Sequence, residues 1–201
     1  MNLILYYTPQ TRSIRPRWAL EELGLAYEIR RIDLRAGEQR APEYLRVNPF
    51  GQVPALQIDG EVMPESGAIC HWLADRFPEA GLAPAFDSPL RREYERWMYF
   101  GPATLETGFW LATVHTHVLP EDKRITAIVP WSLKLYQSVL KPLETIMSER
   151  EYLVGDGFTA ADILVGVTLL RSLEHLQAFP NLLAYTERLA QRPAYLRATA
   201  D

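Results

Sequence analysis

Residues 48–56, which read Asn-Pro-Phe-Gly-Gln-Val-Pro-Ala-Leu, constrain the fold of this chain more than any other segment. Pro54 begins an apolar run typical of a strand, and a proline without an N–H is tolerated only at the first residue or the edge of a strand. A cis bond before Pro54 would turn the backbone of Val53 outward, where an extended peptide can pair with it. Glu65 and Ser66 then begin a helix, and the N–H groups at a helix N-terminus bind carboxylates. Together these segments predict a site for a small peptide.

The first 78 residues alternate between strand and helix patterns. In chain order they predict a strand, a helix, a strand, a short helix, two strands and a helix, at residues 3–7, 13–23, 27–34, 40–45, 55–58, 61–63 and 66–77. The first strand, helix and strand predict a parallel pair joined by a right-handed crossover. Asp59-Gly60 is the strongest short hairpin signal and joins the last two strands.

The residues after Pro89 show helical periodicity and no alternation. A long helix is predicted at residues 91–117, bent or broken near Gly101-Pro102, and a second helix reaches residue 149. Thr159 and Asp162 have the spacing of a capping box. The helix that follows them, predicted to reach residue 176 with Leu173 on its apolar stripe, is expected to form the buried centre of an all-helical region.

Composition and charge exclude several classes of function. The net charge of −4 over 201 residues gives no clustered positive face for nucleic acid. No run of 18 or more apolar residues is present, so no membrane span is expected. The first residues lack the pattern of a signal peptide. The single cysteine, Cys70, excludes an internal disulfide and suits a reducing compartment. We therefore expect a cytoplasmic chain without nucleic-acid or membrane partners.

The two binding segments, together with residues 5–9, 18–24 and 158–162, resemble the cytosolic glutathione transferases over nearly the whole length. The resemblance implies an α/β thioredoxin-like N-terminal domain followed by an all-α helical-bundle C-terminal domain. The expected boundaries are a glutathione-binding domain at residues 1–78, a linker at residues 79–89, and an all-α domain at residues 90–201 that contributes the electrophile site.

The same resemblance assigns residues to glutathione, the co-substrate. It implies that the Val53 backbone pairs with the cysteinyl group, that Pro54 supplies a cis bend, and that Gln52 adds a hydrogen bond at the strand entrance. Glu65 is expected to face the γ-glutamyl ammonium group, and Ser66 the γ-glutamyl carboxylate.

A further pair, Gln39-Arg40, stands just before Pro42-Glu43. In plant-type transferases, the pair of residues at the corresponding place holds the glycyl carboxylate of glutathione. Arg40 is the better anion donor of the two. No metal is expected, because His115 and His117 are two positions apart and do not face together on a helix.

Activation of glutathione needs a group that stabilises its thiolate, since the resting pKa of a thiol is about 8.5. One hydroxyl donor and one helix N-terminus would lower this pKa by about 2 units. Three hydroxyls, those of Ser13, Thr11 and Tyr7, lie between the first strand and the first helix, and each matches a different transferase type. Arg12 occupies the position of the cysteine that forms mixed disulfides in related families, which removes the covalent route.

The resemblance implies a detoxifying transferase that conjugates the glutathione thiolate to a small hydrophobic electrophile. A glutathione-dependent isomerase or peroxidase, and a non-catalytic regulatory module, are the alternatives on the same fold. A homodimer is also implied, with Phe50 of one subunit inserted into the other, because a large apolar side chain on a turn-like loop often marks a partner site.

Overall fold

The computed structural model describes residues 1–200. The N-terminal part of the chain forms a mixed four-stranded sheet with the strand order β2-β1-β3-β4. The strands are β1 (Leu3–Tyr7), β2 (Glu28–Arg31), β3 (Ala55–Ile58) and β4 (Glu61–Pro64). β1 pairs parallel with β2 and antiparallel with β3, which pairs antiparallel with β4. The predicted parallel pair and hairpin are confirmed. β2 is shorter than the predicted strand at residues 27–34, because the register pairs only residues 28–31 with β1.

Three helices cover this sheet: α1 (Ile14–Glu22), α2 (Pro42–Val47) and α3 (Ser66–Arg76). On one face, Tyr44 of α2 packs against Tyr6 with 5.6 Å between ring centroids. Successive side chains of a strand point to opposite faces, so Tyr7 lies on the other face, where the Arg17 guanidinium of α1 stands 4.9 Å from its ring centroid. β1 is therefore buried on both faces.

The chain divides into two compact units, and the first of them is discontinuous. It contains residues 1–86 and the stretch from residue 190 onward, while residues 87–189 form the second unit. The break near residue 86 falls within the predicted linker at residues 79–89. The C-terminal stretch was predicted to belong with residues 90–189, but the contacts group it with the first unit.

Helix α9 (Pro193–Thr199) joins the first unit by packing on α1. Tyr195 meets Trp18 edge to face at 4.8 Å. Arg192 donates two hydrogen bonds to the Glu22 carboxylate, at 2.6 and 2.9 Å. Burial opposes ionisation of the neighbouring Glu21, yet hydrogen bonds from Tyr27 and Arg197 hold its pKa below the ordinary value.

We expect Arg192→Ala to lower the free energy of unfolding by about 1–3 kcal/mol, because it removes a charged double hydrogen bond from a carboxylate that is only 12% exposed. Urea denaturation would measure the loss. Arg46→Ala is the matched control, since Arg46 is 72% exposed and lies 3.8 Å from Glu43. A solvent-exposed salt bridge of this kind contributes about 0–1 kcal/mol to the free energy of unfolding. Equal losses in the two variants would contradict a structural role for the α1–α9 pair.

The second unit is helical. Its helices are α4 (Arg91–Tyr99), α5 (Glu106–Thr113), α6 (Ile128–Met147), α7 (Ala160–Leu170) and α8 (Pro180–Ala190). The predicted break near Gly101-Pro102 is confirmed as a π-helical segment, Phe100–Leu105, between α4 and α5. Gly108 allows α5 and α6 to approach closely, because a Cβ there would lie 2.7 Å from the Ser132 carbonyl oxygen. None of the helices in the described part of the chain has the length and hydropathy needed to cross a membrane.

Helix α7 forms the buried centre of this unit, as predicted, and Thr159 and Asp162 form its capping box. The Asp162 carboxylate is fully buried and accepts hydrogen bonds from the Thr159 and Leu153 N–H groups and the Tyr185 hydroxyl, at 2.8, 3.0 and 2.8 Å. Burial raises its pKa above the ordinary value despite these bonds. The predicted extension of α7 to residue 176 is wrong, because the helix ends at Leu170 and Leu173 is 41% exposed.

Candidate functional site

A pocket in the first unit collects most of the residues that the sequence predicted to bind a peptide. Its lining is formed by Arg12, Asn48, Phe50, Gln52, Val53, Pro54, Pro64, Glu65 and Ser66. Five of the seven predicted glutathione contacts lie together here: Gln52, Val53, Pro54, Glu65 and Ser66. The other two, Gln39 and Arg40, do not line the pocket.

The entrance to β3 supplies one wall of this pocket. The Val53-Pro54 peptide is cis. Sheet pairing of β3 begins at Ala55, which is paired with both β1 and β4. Val53 therefore lies two residues before the paired part of the strand, and its backbone takes no part in the sheet register.

The loop that carries Val53 is held by two side chains whose role was not predicted from the sequence. The Tyr44 hydroxyl and the Asn48 side-chain amide each donate to the Gln52 carbonyl oxygen at 2.7 Å. The Asn48 side-chain oxygen also accepts from the Phe50 N–H at 3.1 Å. Burial raises the pKa of Tyr44 to about 12, so this hydroxyl keeps its proton at neutral pH. The sequence does carry a signal for the role of Asn48, because it directly precedes a Pro-Phe-Gly turn and asparagine side chains often hydrogen bond to the backbone of turns.

The opposite wall is the start of α3. Glu65 adopts a left-handed backbone conformation, with φ of +73°, and its side chain is exposed. Such a conformation in a residue other than glycine is uncommon and concentrates at ligand sites. Ser66, the first residue of α3, is 5% exposed and lines the pocket.

A buried arginine stands behind Ser66. Arg15 is 0% exposed, and its guanidinium Nη1 donates to the Ser66 Oγ atom at 3.3 Å. Because the Ser66 oxygen accepts this bond, its own O–H is left to donate elsewhere. The buried positive charge and the N-terminus of α3 both favour an anion at this wall.

The hydroxyls of Ser13 and Thr11 lie in the loop between β1 and α1. The Thr11 Oγ1 atom is 2.7 Å from the Thr8 carbonyl oxygen and 2.9 Å from the Ser13 Oγ atom. Ser13 is fully buried and makes no capping hydrogen bond to α1. Pro16, the third residue of α1, lacks the N–H that a capping side chain often bonds. The two hydroxyls therefore contact each other and the loop, and neither lines the pocket.

The remaining predicted residues are also placed away from the pocket lining. Tyr7 is fully buried, beneath Arg17. Arg40 is exposed, and its Nη1 atom lies 3.5 Å from the Phe50 carbonyl oxygen, so it borders the loop that forms the pocket rim. The Gln39 amide donates to the Leu34 carbonyl oxygen at 3.4 Å.

Family models match both halves of the chain. The model described as "Glutathione S-transferase, N-terminal domain" matches residues 1–75, and that of the C-terminal domain matches residues 119–196. The chain belongs to the glutathione S-transferase family. The predicted α/β thioredoxin-like domain followed by an all-α domain is thereby confirmed.

Individual relatives cover almost the full chain. Glutathione S-transferase 3 of Zea mays is 32% identical over 98% of this chain and 93% of its own. A maleylacetoacetate isomerase of Pseudomonas aeruginosa is 32% identical over 98% of this chain and 95% of its own. The structure of a sphingomonad glutathione S-transferase complexed with glutathione has a TM-score of 0.84 and 30% identity, and it covers 98% of this chain and 96% of that one.

The only cysteine of this family member is not placed to react. Cys70 lies in α3 and is fully buried. Burial raises its pKa to about 12, although the nearby Arg15 charge acts in the opposite direction. Since the thiolate is the reactive form of a cysteine, Cys70 is a packing residue of the first unit. Among the described residues, no group of three or more His, Cys, Asp or Glu side chains could hold a metal ion.

We expect the native chain to resist Ellman's reagent at pH 8, because a buried thiol with this pKa is almost entirely protonated. One thiol per chain should react after unfolding in guanidinium chloride, which matches the single cysteine of the sequence. Free glutathione in the same buffer serves as the control for reagent activity. Rapid reaction of one thiol in the folded chain would contradict the burial of Cys70.

Proposed function

We propose that the chain binds glutathione in the pocket between Val53 and Ser66, holds it as a thiolate, and conjugates it to a small hydrophobic electrophile. One observation carries this proposal: the backbone before β3, which takes no part in the sheet, lines the same pocket as the N-terminus of α3. The buried charge of Arg15 stands behind that helix N-terminus. The sphingomonad relative complexed with glutathione supports the choice of ligand.

Each end of glutathione has a matching group in this arrangement. The Val53 backbone pairs with the cysteinyl unit as a short added strand. Glu65 takes the γ-glutamyl ammonium group, and the Ser66 O–H donates to the γ-glutamyl carboxylate while Arg15 holds the Ser66 oxygen. Arg40, beside the Phe50 carbonyl, is positioned at the rim to meet the glycyl carboxylate.

The chemistry requires ionisation of the thiol and no general base on the protein. Lowering a thiol pKa from about 8.5 by about 2 units takes about 2.7 kcal/mol and gives a majority of thiolate at pH 7. The thiolate electron pair then forms a C–S bond with the electrophilic carbon. In a substitution the leaving group departs with its bonding pair, and in an addition the resulting carbanion takes a proton from water. Ser13, Thr11 and Tyr7 are the hydroxyl candidates for stabilising the thiolate.

We expect Ser66→Ala and Glu65→Ala each to weaken glutathione binding by about 1–3 kcal/mol, because each removes a partner of the γ-glutamyl group. Isothermal titration calorimetry with glutathione would measure the change. Ser138→Ala is the matched control, since its exposed hydroxyl donates to the Leu135 carbonyl oxygen of its own helix. Unchanged binding in both variants, or no binding by the native chain, would favour a non-catalytic module on the same fold.

A glutathione-dependent isomerase is the second candidate, favoured by the maleylacetoacetate isomerase that matches 98% of the chain. An isomerase returns glutathione, whereas a transferase consumes one molecule for each product. Incubation with an aryl halide, an unsaturated carbonyl compound and a cis-dienone, with glutathione titrated at the end, would separate the two activities. Oxidised glutathione after exposure to an organic hydroperoxide would instead indicate the peroxidase alternative.

The assembly and the compartment belong to the same proposal. We expect a homodimer in the cytoplasm, in which α2 and α3 of one chain contact the long α4–α5 segment of the other. Phe50 is 67% exposed on the loop after α2, so a partner subunit would remove a large apolar surface from water.

We expect Phe50→Asp to dissociate the dimer or weaken it strongly, since a two-fold interface contains the substitution twice. Light scattering at micromolar concentration would give the mass. Phe86→Asp is the matched control, because Phe86 is 88% exposed and lies outside the predicted contact. A mass of 23.0 kDa for the native chain would rule out the dimer.

A further inference from the structure

Arg12 is the one residue of the loop between β1 and α1 that lines the glutathione pocket. Its two neighbours, Thr11 and Ser13, hydrogen bond to each other at 2.9 Å. From the sequence alone, Arg12 is notable only as the residue that replaces a cysteine. In the structure, its side chain shares the pocket lining with Val53, Glu65 and Ser66.

The proposed binding mode assigns the other charged groups at this pocket to the γ-glutamyl end of glutathione. Glu65 faces the γ-glutamyl ammonium group, and Arg15 acts through the Ser66 hydroxyl on the γ-glutamyl carboxylate. Arg12 is the only positively charged residue among those that line the pocket in the described part of the chain. The remaining anion of glutathione next to Val53 is the cysteinyl thiolate.

We propose that the Arg12 guanidinium donates a hydrogen bond to the thiolate of bound glutathione, and that this charge, rather than a hydroxyl, lowers the thiol pKa. This inference rests on the proposed glutathione site. A hydrogen bond to a charged group is stronger than one between neutral groups, and a guanidinium stays protonated at every pH at which the thiol titrates.

The loop geometry favours Arg12 over its neighbours. The Ser13 side chain is fully buried, so reaching the sulfur would require it to leave Thr11 and become exposed. Arg12 already borders the pocket, and its backbone is fixed at the start of α1, where its carbonyl oxygen accepts the Arg15 N–H at 3.1 Å. A contact between the Arg12 side chain and the ligand therefore requires no rearrangement of the loop backbone.

The test compares two ligands that differ only at sulfur. Glutathione has an ionisable thiol, and S-methylglutathione does not. Both would be titrated calorimetrically against the native chain, Arg12→Gln, Arg12→Lys and Ser13→Ala, and the thiol pKa of bound glutathione would be read from thiolate absorbance against pH. Circular dichroism would establish that each variant is folded.

We expect Arg12→Gln to raise the pKa of the bound thiol by about 1–2 units, which corresponds to a 10–100-fold loss of thiolate stabilisation. Its affinity for S-methylglutathione should change by less than about threefold, because that ligand presents no charge at sulfur. Arg12→Lys should recover part of the shift, since it keeps the charge. Ser13→Ala should leave the pKa close to the native value.

Two results would overturn the role of Arg12 while leaving the binding site intact. Equal weakening of both ligands in Arg12→Gln would show that Arg12 binds a carboxylate. A pKa shift in Ser13→Ala but not in Arg12→Gln would assign the thiolate to the hydroxyl. Failure of the native chain to bind either ligand would instead overturn the proposed function, and the Arg12 proposal with it.

Discussion

The pairing register of the sheet is the constraint on which the candidate site depends. Tyr6 of β1, Ala55 of β3 and Pro64 of β4 stand in one row, because Ala55 is paired with both of the others. The chain leaves β1 just after this row, enters β3 just before it, and leaves β4 just after it. The loop with Arg12, the Val53-Pro54 peptide and the Glu65-Ser66 helix start are thereby brought to one edge. A slip of one residue would turn each strand's side chains to the opposite face.

The arginines at the start of α1 contact different parts of the first unit. Arg15 is buried and bonds Ser66, while Arg17 covers the ring of Tyr7 and donates to the Arg197 carbonyl oxygen at 3.4 Å. Arg12 lines the pocket. Arginine suits these places better than lysine, because its planar group offers several donors and stacks on aromatic rings. The short segment at residues 12–17 thus contributes side chains to the candidate pocket, to the core of the first unit and to the contact with α9.

Much of the fold was predictable, because hydrophobic period and turn residues act locally. The boundaries of β1 and β3 match the prediction, and the Pro102 interruption is where the sequence placed it. The packing of α9 on α1 was not predictable in this way. It depends on a pair such as Glu22 and Arg192, whose members are 170 residues apart in the sequence.

The same limit applies to the site. The motifs single out Gln52, Val53 and Glu65-Ser66 as candidate binding residues, and in the structure these residues line one pocket. The loop hydroxyls could not be ranked from sequence, because side chains in a loop follow no period. Only the hydrogen bonds of Ser13 and Thr11 indicate that these groups face the loop, and only the pocket lining indicates that Arg12 borders the pocket.

The discontinuity of the first unit has a consequence for synthesis of the chain. The sheet and α1 leave the ribosome early. The face of α1 on which Tyr195 packs against Trp18 stays uncovered until α9 has been made. All of residues 87–189 emerge in between. Domains generally fold as units from the N-terminus during translation. In this chain, the unit that begins to emerge first is therefore completed only after residues 87–189 and α9 have been made.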